Sequence, residues 1–216
     1  MIYTFPRAKE YFEPDELTLA TGVSRSRFPE AILKELVDNA LDEAEKTGSP
    51  VVEITGSPLT VKDNGPGVDL NELLSKVLDF NVRASSKLAW KRPTRGYLGN
   101  ALKTIFGMVH VLAPDKPVVF ESRGQRVAVT IRPLSTGEIR INPVLETVPE
   151  RPGFTATVPV SVSGMFYETL IATILFNPGA SFKWDGFEFP AVGTVEKYRR
   201  TARCPPTGLI LNHSST

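Results

Sequence analysis

The sequence has little of several features that mark particular protein classes. A single cysteine, Cys204, cannot form an internal disulfide. No apolar run approaches the roughly 20 residues that a membrane-spanning helix needs. The 25 basic and 24 acidic residues nearly cancel to a net charge of +1, so no overall charge favours nucleic acid. These features exclude a disulfide-rich scaffold and a membrane protein, and they predict a cytoplasmic globular protein.

The length of the chain predicts one main domain. Its 216 residues suffice for one full-sized domain and are too few for several. We expect residues 1–27 to form an N-terminal arm with one short helix near Pro14 to Ala20, and residues 28–190 to form the main domain. Residues 191–216 form a tail rich in proline and arginine, which we expect to be loose.

The main domain contains both helical and strand patterns. Apolar residues recur at helical spacing in four segments, 29–46, 69–79, 99–109 and 165–176. Runs typical of strands occur at 51–55, at 59–62, between 118 and 160, and near 182 and 187. Residues 80–97 lack either period and form a long basic segment. A loop of that length is usually functional.

The first predicted helix has a stripe of acidic and amide side chains opposite its apolar face. At about 100° per residue, Glu35, Asp38, Asn39 and Asp42 fall within a stripe of roughly 100°. The stripe is either a solvated surface or a wall that faces a cation and a water. Three carboxylates without interleaved lysines favour the second interpretation, because like charges repel. Asn39 would then supply an oxygen to Mg²⁺, and Glu35 would accept a proton from a water.

A second motif, Asp63-Asn64-Gly65-Pro66-Gly67, directly follows a predicted strand. It is either an ordinary turn, since Asp, Asn and Gly are the usual turn residues, or a loop that contacts a ligand. In the second interpretation Asp63 accepts a hydrogen bond from the exocyclic amine of adenine. Gly65 and Gly67 then let the backbone approach the ring.

A third motif is a glycine-punctuated segment that leads into a helix. It is either a plain helix start or an anion site, because backbone N–H groups at a helix N-terminus bind phosphate. In the second case Lys103 adds charge to a phosphate cradle made of Arg95, Gly96, Tyr97, Leu98, Gly99, Asn100 and Ala101. Between Phe80 and Pro114 there is no acidic residue and there are six lysines and arginines, which suits a nucleotide or DNA.

Taken in order, these motifs resemble the GHKL ATPase superfamily, which includes gyrase B, MutL, histidine kinases and a heat-shock chaperone. The resemblance rests on E-x-x-D-N-A-x-D from Glu35 to Asp42, on D-N-G-P-G, on the glycine-rich lid, and on Gly153-Phe154-Thr155-Ala156-Thr157. Three further segments are most similar to the topoisomerase VI B subunit: Ile32 to Asp42, Arg95-Gly96, and Asn177 to Phe182.

The resemblance implies a Bergerat-type fold, which is an α/β sandwich. Its mixed, mostly antiparallel sheet carries helices on one face, and ATP lies between the helices and the lid. The resemblance implies Glu35 as general base, Asn39 as Mg²⁺ ligand and Asp63 as adenine contact. It implies Thr155 as the threonine that supports Asp63 and a water beside adenine, with Thr157, on the same strand face, as the alternative. ATP and Mg²⁺ are the implied ligands.

The resemblance also implies partners and an activity. Mg-ATP would close the lid and pair two copies of the chain, with slow hydrolysis coupled to DNA handling. The basic lid and tail would contact DNA, and a separate topoisomerase A-like subunit would cleave it. The family's transducer lysine has no counterpart before Thr216, so we expect ATP binding and leave turnover open. The alternative function is a nucleotide-dependent switch or regulatory module without topoisomerase activity.

The lid departs from the family pattern at two positions. Ala101 replaces a third glycine, and Lys103 replaces a small polar residue. The methyl group of Ala101 disfavours a positive φ, so we expect the loop to hold phosphate in a somewhat different shape.

Overall fold

The computed structural model describes residues 7–78, 101–135, 138–162 and 167–191. The α-helices in these ranges are α1 (Pro14–Thr21), α2 (Phe28–Ala44), α3 (Leu70–Val77), α4 (Ala101–Leu112) and α5 (Tyr167–Phe176). The strands are β1 (Val51–Gly56), β2 (Leu59–Asp63), β3 (Val118–Ser122), β4 (Gln125–Pro133), β5 (Ile139–Thr147), β6 (Phe154–Val158), β7 (Ser181–Trp184) and β8 (Phe187–Phe189). No helix in the described part of the chain combines the length and apolar character that crossing a bilayer requires.

All eight strands form one sheet, in the order β5-β4-β3-β6-β2-β1-β7-β8. Neighbouring strands are antiparallel except β1 and β7, which run parallel. Strand β2 pairs with its hairpin partner β1 on one side and with the distant β6 on the other. The expected α/β fold with a mixed, mostly antiparallel sheet is confirmed.

The helices cover one face of the sheet. Helix α2 packs against β1 and β2, and α3 packs against β3 and β4. In β2, Leu59, Val61 and Asp63 are buried on the covered face, while Thr60 and Lys62 alternate onto the other face. This alternation decides which side chains of each strand can take part in a site between helices and sheet.

The other face is open and carries a row of side chains that alternates in charge across the strands. From edge to edge the row is Glu146, Arg126, Glu121, Thr155, Lys62, Glu53, Lys183 and Glu188. Its ion pairs have N–O distances from 2.7 to 3.9 Å. Exposed pairs of this kind contribute only about 0–1 kcal/mol each, so the row identifies the open face more than it stabilises the sheet.

Helix α2 forms the centre of the covered face. Its apolar side chains Ile32, Leu33, Leu36 and Leu41 are at most 3% exposed. A proline in the first turn suits the helix start, because the missing N–H has no partner there. The helix ends in a short 3-10 turn, Glu45–Thr47, followed by a left-handed glycine. The helix predicted over 29–46 is therefore confirmed.

Residues 7–27, which the sequence set apart as an arm, pack into the core of the main domain. Phe12 and Leu17 are 5% and 1% exposed and belong to the same apolar cluster as α2 and the sheet. Gly107 of α4 permits this approach, because a β-carbon there would lie 1.7 Å from the carbonyl oxygen of Tyr11. A glycine inside a helical pattern does not show which segment crosses it, so the sequence missed this packing.

We expect Gly107→Ala to lower the free energy of unfolding by about 1–3 kcal/mol, because the added methyl group displaces the N-terminal segment from α4. Helix propensity acts in the opposite direction, since alanine is the better helix former. Gly179→Ala is the control, because no atom lies within 4 Å of its β-carbon position. Urea denaturation measures both variants. A Gly107→Ala protein as stable as wild type would contradict the close approach.

Candidate functional site

The loop from Asp63 to Gly67 lies between the end of α2 and the β3–β4 hairpin. A β-carbon on Gly65 would lie 2.8 Å from the carbonyl oxygen of Glu43 in α2, and one on Gly67 would lie 2.7 Å from the hydroxyl of Ser122. Gly67 also has a φ of 73°, which favours glycine. The two glycines therefore bring the loop against both neighbours.

The carboxyl group of Asp63 is only partly satisfied. The residue is 2% exposed. Its Oδ1 accepts hydrogen bonds from the backbone N–H groups of Gly65, at 2.7 Å, and Phe154, at 3.2 Å. Its Oδ2 has no hydrogen-bond partner among the described residues. Because a buried acceptor without a donor costs free energy, this oxygen suits a ligand that donates a hydrogen bond.

Burial raises the pKa of Asp63 from 3.8 to about 6, although the two backbone N–H donors oppose the shift. The charge of Glu43 raises the pKa further and that of Lys46 lowers it. Those two side chains form an ion pair with each other, with an N–O distance of 2.6 Å. A carboxyl group with a strongly raised pKa and an unpaired oxygen is typical of functional sites.

Two of the predicted site residues, Glu35 and Asn39, lie one helical turn apart in α2. The loop meets the helix at Glu43, so Asn39 lies about 6 Å and Glu35 about 12 Å from that point along the axis. Both side chains are half-buried. Asn39 is an oxygen donor of the type that Mg²⁺ binds. Within the described ranges, no three histidine, cysteine or acidic side chains cluster as a metal site does.

The acidic stripe of α2 has a lysine partner, Lys34. Lys34 Nζ lies 2.9 Å from Asp38 Oδ2 and 3.5 Å from Glu35 Oε1. Partial burial opposes the charge of Lys34, but the hydrogen bond and charge of Asp38 outweigh it and raise the pKa of Lys34. The expectation of a stripe without lysine is therefore corrected. The spacing of four residues between Lys34 and Asp38 was the signal for this pair.

Thr155 is not brought to Asp63. It lies opposite Lys62 in the β2–β6 register and therefore on the open face, whereas Asp63 faces the helices. Thr157 lies on the same open face. The residue of β6 that contacts Asp63 is Phe154, through its backbone N–H. A support for Asp63 from a threonine side chain of β6 does not fit this geometry.

The predicted lid residues Arg95, Gly96, Tyr97, Leu98, Gly99 and Asn100 lie outside the described residues. The helix that follows them, α4, begins at Ala101. Lys103 is 2% exposed, so its stem and amine lie inside the domain and not on its surface. Contact of Ala101 and Lys103 with phosphate stays a prediction.

Two residues beside Asp63, Gly153 and Ser122, have no site role in the predictions from sequence. A β-carbon on Gly153 would lie 1.8 Å from the carbonyl oxygen of Asp63, and Gly153 has a φ of 89°. Only glycine therefore allows β6 to begin this close to Asp63. The hydroxyl of Ser122, a residue 4% exposed, donates to the carbonyl oxygen of Gly153 at 3.1 Å. The place of Gly153 directly before a strand could have indicated its role. A serine at the end of a strand is too common to indicate the role of Ser122.

In sequence the chain is similar to a DNA mismatch repair protein. It is 27% identical over 169 residues to MutL from Clostridium perfringens (strain 13 / Type A), and equally to MutL from strain ATCC 13124. The match covers 72% of this chain and 24% of each MutL, so the chain spans about a quarter of their length. No protein-family model matches the chain.

In structure the chain is similar to the ATPase region of Saccharomyces cerevisiae topoisomerase II, both in the form bound to ICRF-187 (dexrazoxane) and in a second structure. The TM-score is 0.50 at 12% identity, over 79% of this chain and 51% of that region. The similarity to MutL, one of the proteins of the GHKL ATPase superfamily, supports the resemblance that the motifs indicate. Neither relative is a topoisomerase VI B subunit, so that closer resemblance stays a prediction. The structural likeness shows that the chain shares the fold of that ATPase region.

We expect Asp63→Asn to raise the free energy of unfolding well above pH 6, by on the order of 1–2 kcal/mol. The folded state binds more protons than the unfolded state, so Asp63 stabilises the fold below its usual pKa of 3.8, and this stability is lost as pH rises through about 6. Asparagine keeps an oxygen for the two N–H donors without a charge.

Urea denaturation across this pH range measures the difference between Asp63→Asn and wild type. The difference should shrink as pH falls below about 6. Asp15→Asn, the same change at an exposed position of α1, is the control. A difference between Asp63→Asn and wild type that does not depend on pH would be incompatible with a raised pKa.

Proposed function

We propose that this chain is an ATP-binding domain that recognises adenine through Asp63. The observation that carries the proposal is the buried Oδ2 of Asp63, which lacks a donor among the described residues. The exocyclic amine of adenine donates a hydrogen bond there and adds no second charge to the site. Gly65 and Gly153 fit this role, because neither of them places a side chain beside Asp63.

The polar residues of α2 support an extended nucleotide beside the helix. From the loop end of α2, Asn39 comes first and Glu35 one turn later. Adenine at Asp63, phosphates near Asn39 and the terminal phosphate near Glu35 follow the same order. Mg²⁺, when bound, would neutralise charge on the phosphates, and Asn39 offers it an oxygen.

We further propose that Glu35 is the general base of ATP hydrolysis. Its side chain is 31% exposed, so water reaches it, and Lys34 Nζ lies 3.5 Å from its Oε1. Glu35 accepts a proton from a water whose oxygen attacks the γ-phosphorus. The bond from the γ-phosphorus to the bridging oxygen breaks, which yields ADP and phosphate.

The wider role is proposed from the relatives. One is a DNA mismatch repair protein and another is a topoisomerase II ATPase region, which supports a part in a protein that handles DNA. The chain spans 24% of the first and 51% of the second, so the activity of the whole protein is proposed only. Likeness to topoisomerase VI B, lid closure and pairing of two copies rest on the motif resemblance alone.

Wild type is expected to bind Mg-ATP in isothermal titration calorimetry, and Asp63→Asn to bind it at least about tenfold more weakly. The substitution sets an amide N–H against the amine of adenine, so two donors face each other. Asp15→Asn should bind as wild type does. Absence of ATP binding to wild type, or equal binding to Asp63→Asn, would contradict adenine recognition by Asp63.

Glu35→Gln is expected to keep ATP affinity and to lower the rate of phosphate release by roughly 10²–10⁴-fold, because glutamine cannot accept the proton. The amide preserves the size and polarity of the side chain. Glu16→Gln, on the exposed side of α1, is the control. Phosphate release by Glu35→Gln at the rate of a hydrolysing wild type would place the general base elsewhere.

A further inference from the structure

The turn between β3 and β4 holds one peptide group of the Asp63–Gly67 loop at both ends. The guanidinium Nη2 of Arg123 donates to the carbonyl oxygen of Gly67 at 2.9 Å. The N–H of the same peptide group belongs to Val68 and donates to Oγ of Ser122 at 2.9 Å. Two consecutive residues of one turn therefore fix the plane of the Gly67–Val68 peptide.

Ser122 links the Gly67–Val68 peptide group to a second peptide group, between Gly153 and Phe154. Its Oγ, which accepts from Val68, donates to the carbonyl oxygen of Gly153 at 3.1 Å. The N–H of that peptide group belongs to Phe154 and donates to Oδ1 of Asp63 at 3.2 Å. The four hydrogen bonds run in one direction, from the guanidinium to the carboxylate. We call this chain of bonds the relay.

We propose that Ser122 and Arg123 are positioning residues for base recognition, which act on Asp63 through the relay. The proposal rests on the adenine role of Asp63 given above. Hydrogen bonds aligned in one direction polarise one another, so a cation at the start strengthens the last N–H donor. The relay therefore stabilises the ionised carboxylate and fixes its orientation, with Oδ1 occupied and Oδ2 left for the ligand.

The relay also gives a physical reason for the site to bind adenine in preference to guanine. A carboxylate with two free oxygens binds the adjacent ring N–H and amine of guanine with one oxygen each. Oδ1 of Asp63 already accepts from Gly65 and Phe154, so only Oδ2 remains. One free oxygen suits the single amine of adenine. The relay, which holds Phe154 in place, therefore favours adenine over guanine.

The residue type at position 123 points to a role beyond the turn itself. Arg123 and Gly124 have φ angles of 49° and 71°, as in a type I′ turn. Asparagine followed by glycine is the preferred pair at these positions, and arginine is disfavoured. Arg123→Asn therefore suits the turn and removes the guanidinium, together with two methylene groups of its stem, which makes it a test of the relay.

The charged groups that act on Asp63 come from three elements. Glu43 lies in α2, Lys46 lies in the 3-10 turn that follows, and these two form an ion pair. The hairpin contributes Arg123, which reaches Asp63 only through the relay. Ser122→Ala leaves all three charges in place, so its effect on Asp63 reports the relay itself.

The first experiment uses the ligand-free full chain. Carbon-13 NMR titration of the Asp63 carboxyl group measures its pKa in wild type, Ser122→Ala and Arg123→Asn. We expect the pKa to rise by roughly one unit in Ser122→Ala, because a hydrogen bond to the ionised group weakens, and by less in Arg123→Asn. Ser122→Thr, which keeps a hydroxyl, should restore the wild-type value.

Ser181→Ala is the matched control for this titration. Its hydroxyl also accepts a backbone N–H, from Ala191 at 3.1 Å, but lies in β7. We expect no change in the pKa of Asp63 in this variant. An unchanged pKa in Ser122→Ala, or an equal shift in Ser181→Ala, overturns the relay. A melting temperature of Arg123→Asn equal to or above that of wild type shows that its effect is not a loss of folding.

The second experiment compares dissociation constants for ATP and GTP. The preference of wild type for ATP should fall by roughly tenfold in Ser122→Ala, the effect of about one lost hydrogen bond. A shifted pKa of Asp63 without nucleotide binding by wild type would support the relay and refute the proposed function. ATP binding with the same preference in wild type and Ser122→Ala would support the function and overturn the relay.

Discussion

The structure around the site depends on one buried carboxyl group with a half-filled set of hydrogen bonds. Asp63 ends β2 on the helix-covered face, and two backbone N–H groups bind one of its oxygens. Those N–H groups reach it only because Gly65 and Gly153 leave no side chain in the way. The loop, the start of β6 and the end of α2 are therefore shaped by the same requirement. They have to bring donors to a carboxylate that water does not reach.

Burial and recognition act against each other at this carboxyl group. Removal from water raises the pKa of Asp63 to about 6, so the ionised form is held at a cost to stability. The same removal makes the unpaired oxygen a strong acceptor for a ligand, because no water competes for it. Backbone donors reduce the cost without filling that oxygen. A polar side chain at Oδ2 would stabilise the empty site and block it.

The sequence predicts the local parts of this arrangement and misses the parts that depend on register. Periodicity located α2 and also α3, which lies within the helical segment predicted at 69–79. The role predicted for Thr155 does not fit the structure. The face on which a strand residue lies depends on which residue stands opposite it, and only the β2–β6 pairing shows that Thr155 lies opposite Lys62. The packing of residues 7–27 against α4 was not predicted, because the sequence around Gly107 does not show which segment lies against it.

The site also joins segments that are far apart in the chain, and this limits what a motif can show. Asp63 to Val68 form a recognisable loop, whereas Ser122 and Arg123 belong to a turn that on its own resembles any hairpin connection. Gly153 and Phe154 come a further 30 residues along, as the hydrogen bond from Ser122 to Gly153 spans a separation of 31. A sequence motif can identify the residue that contacts a ligand. The residues that orient it lie wherever the sheet places them, and here the strand order β3-β6-β2 sets the three segments side by side.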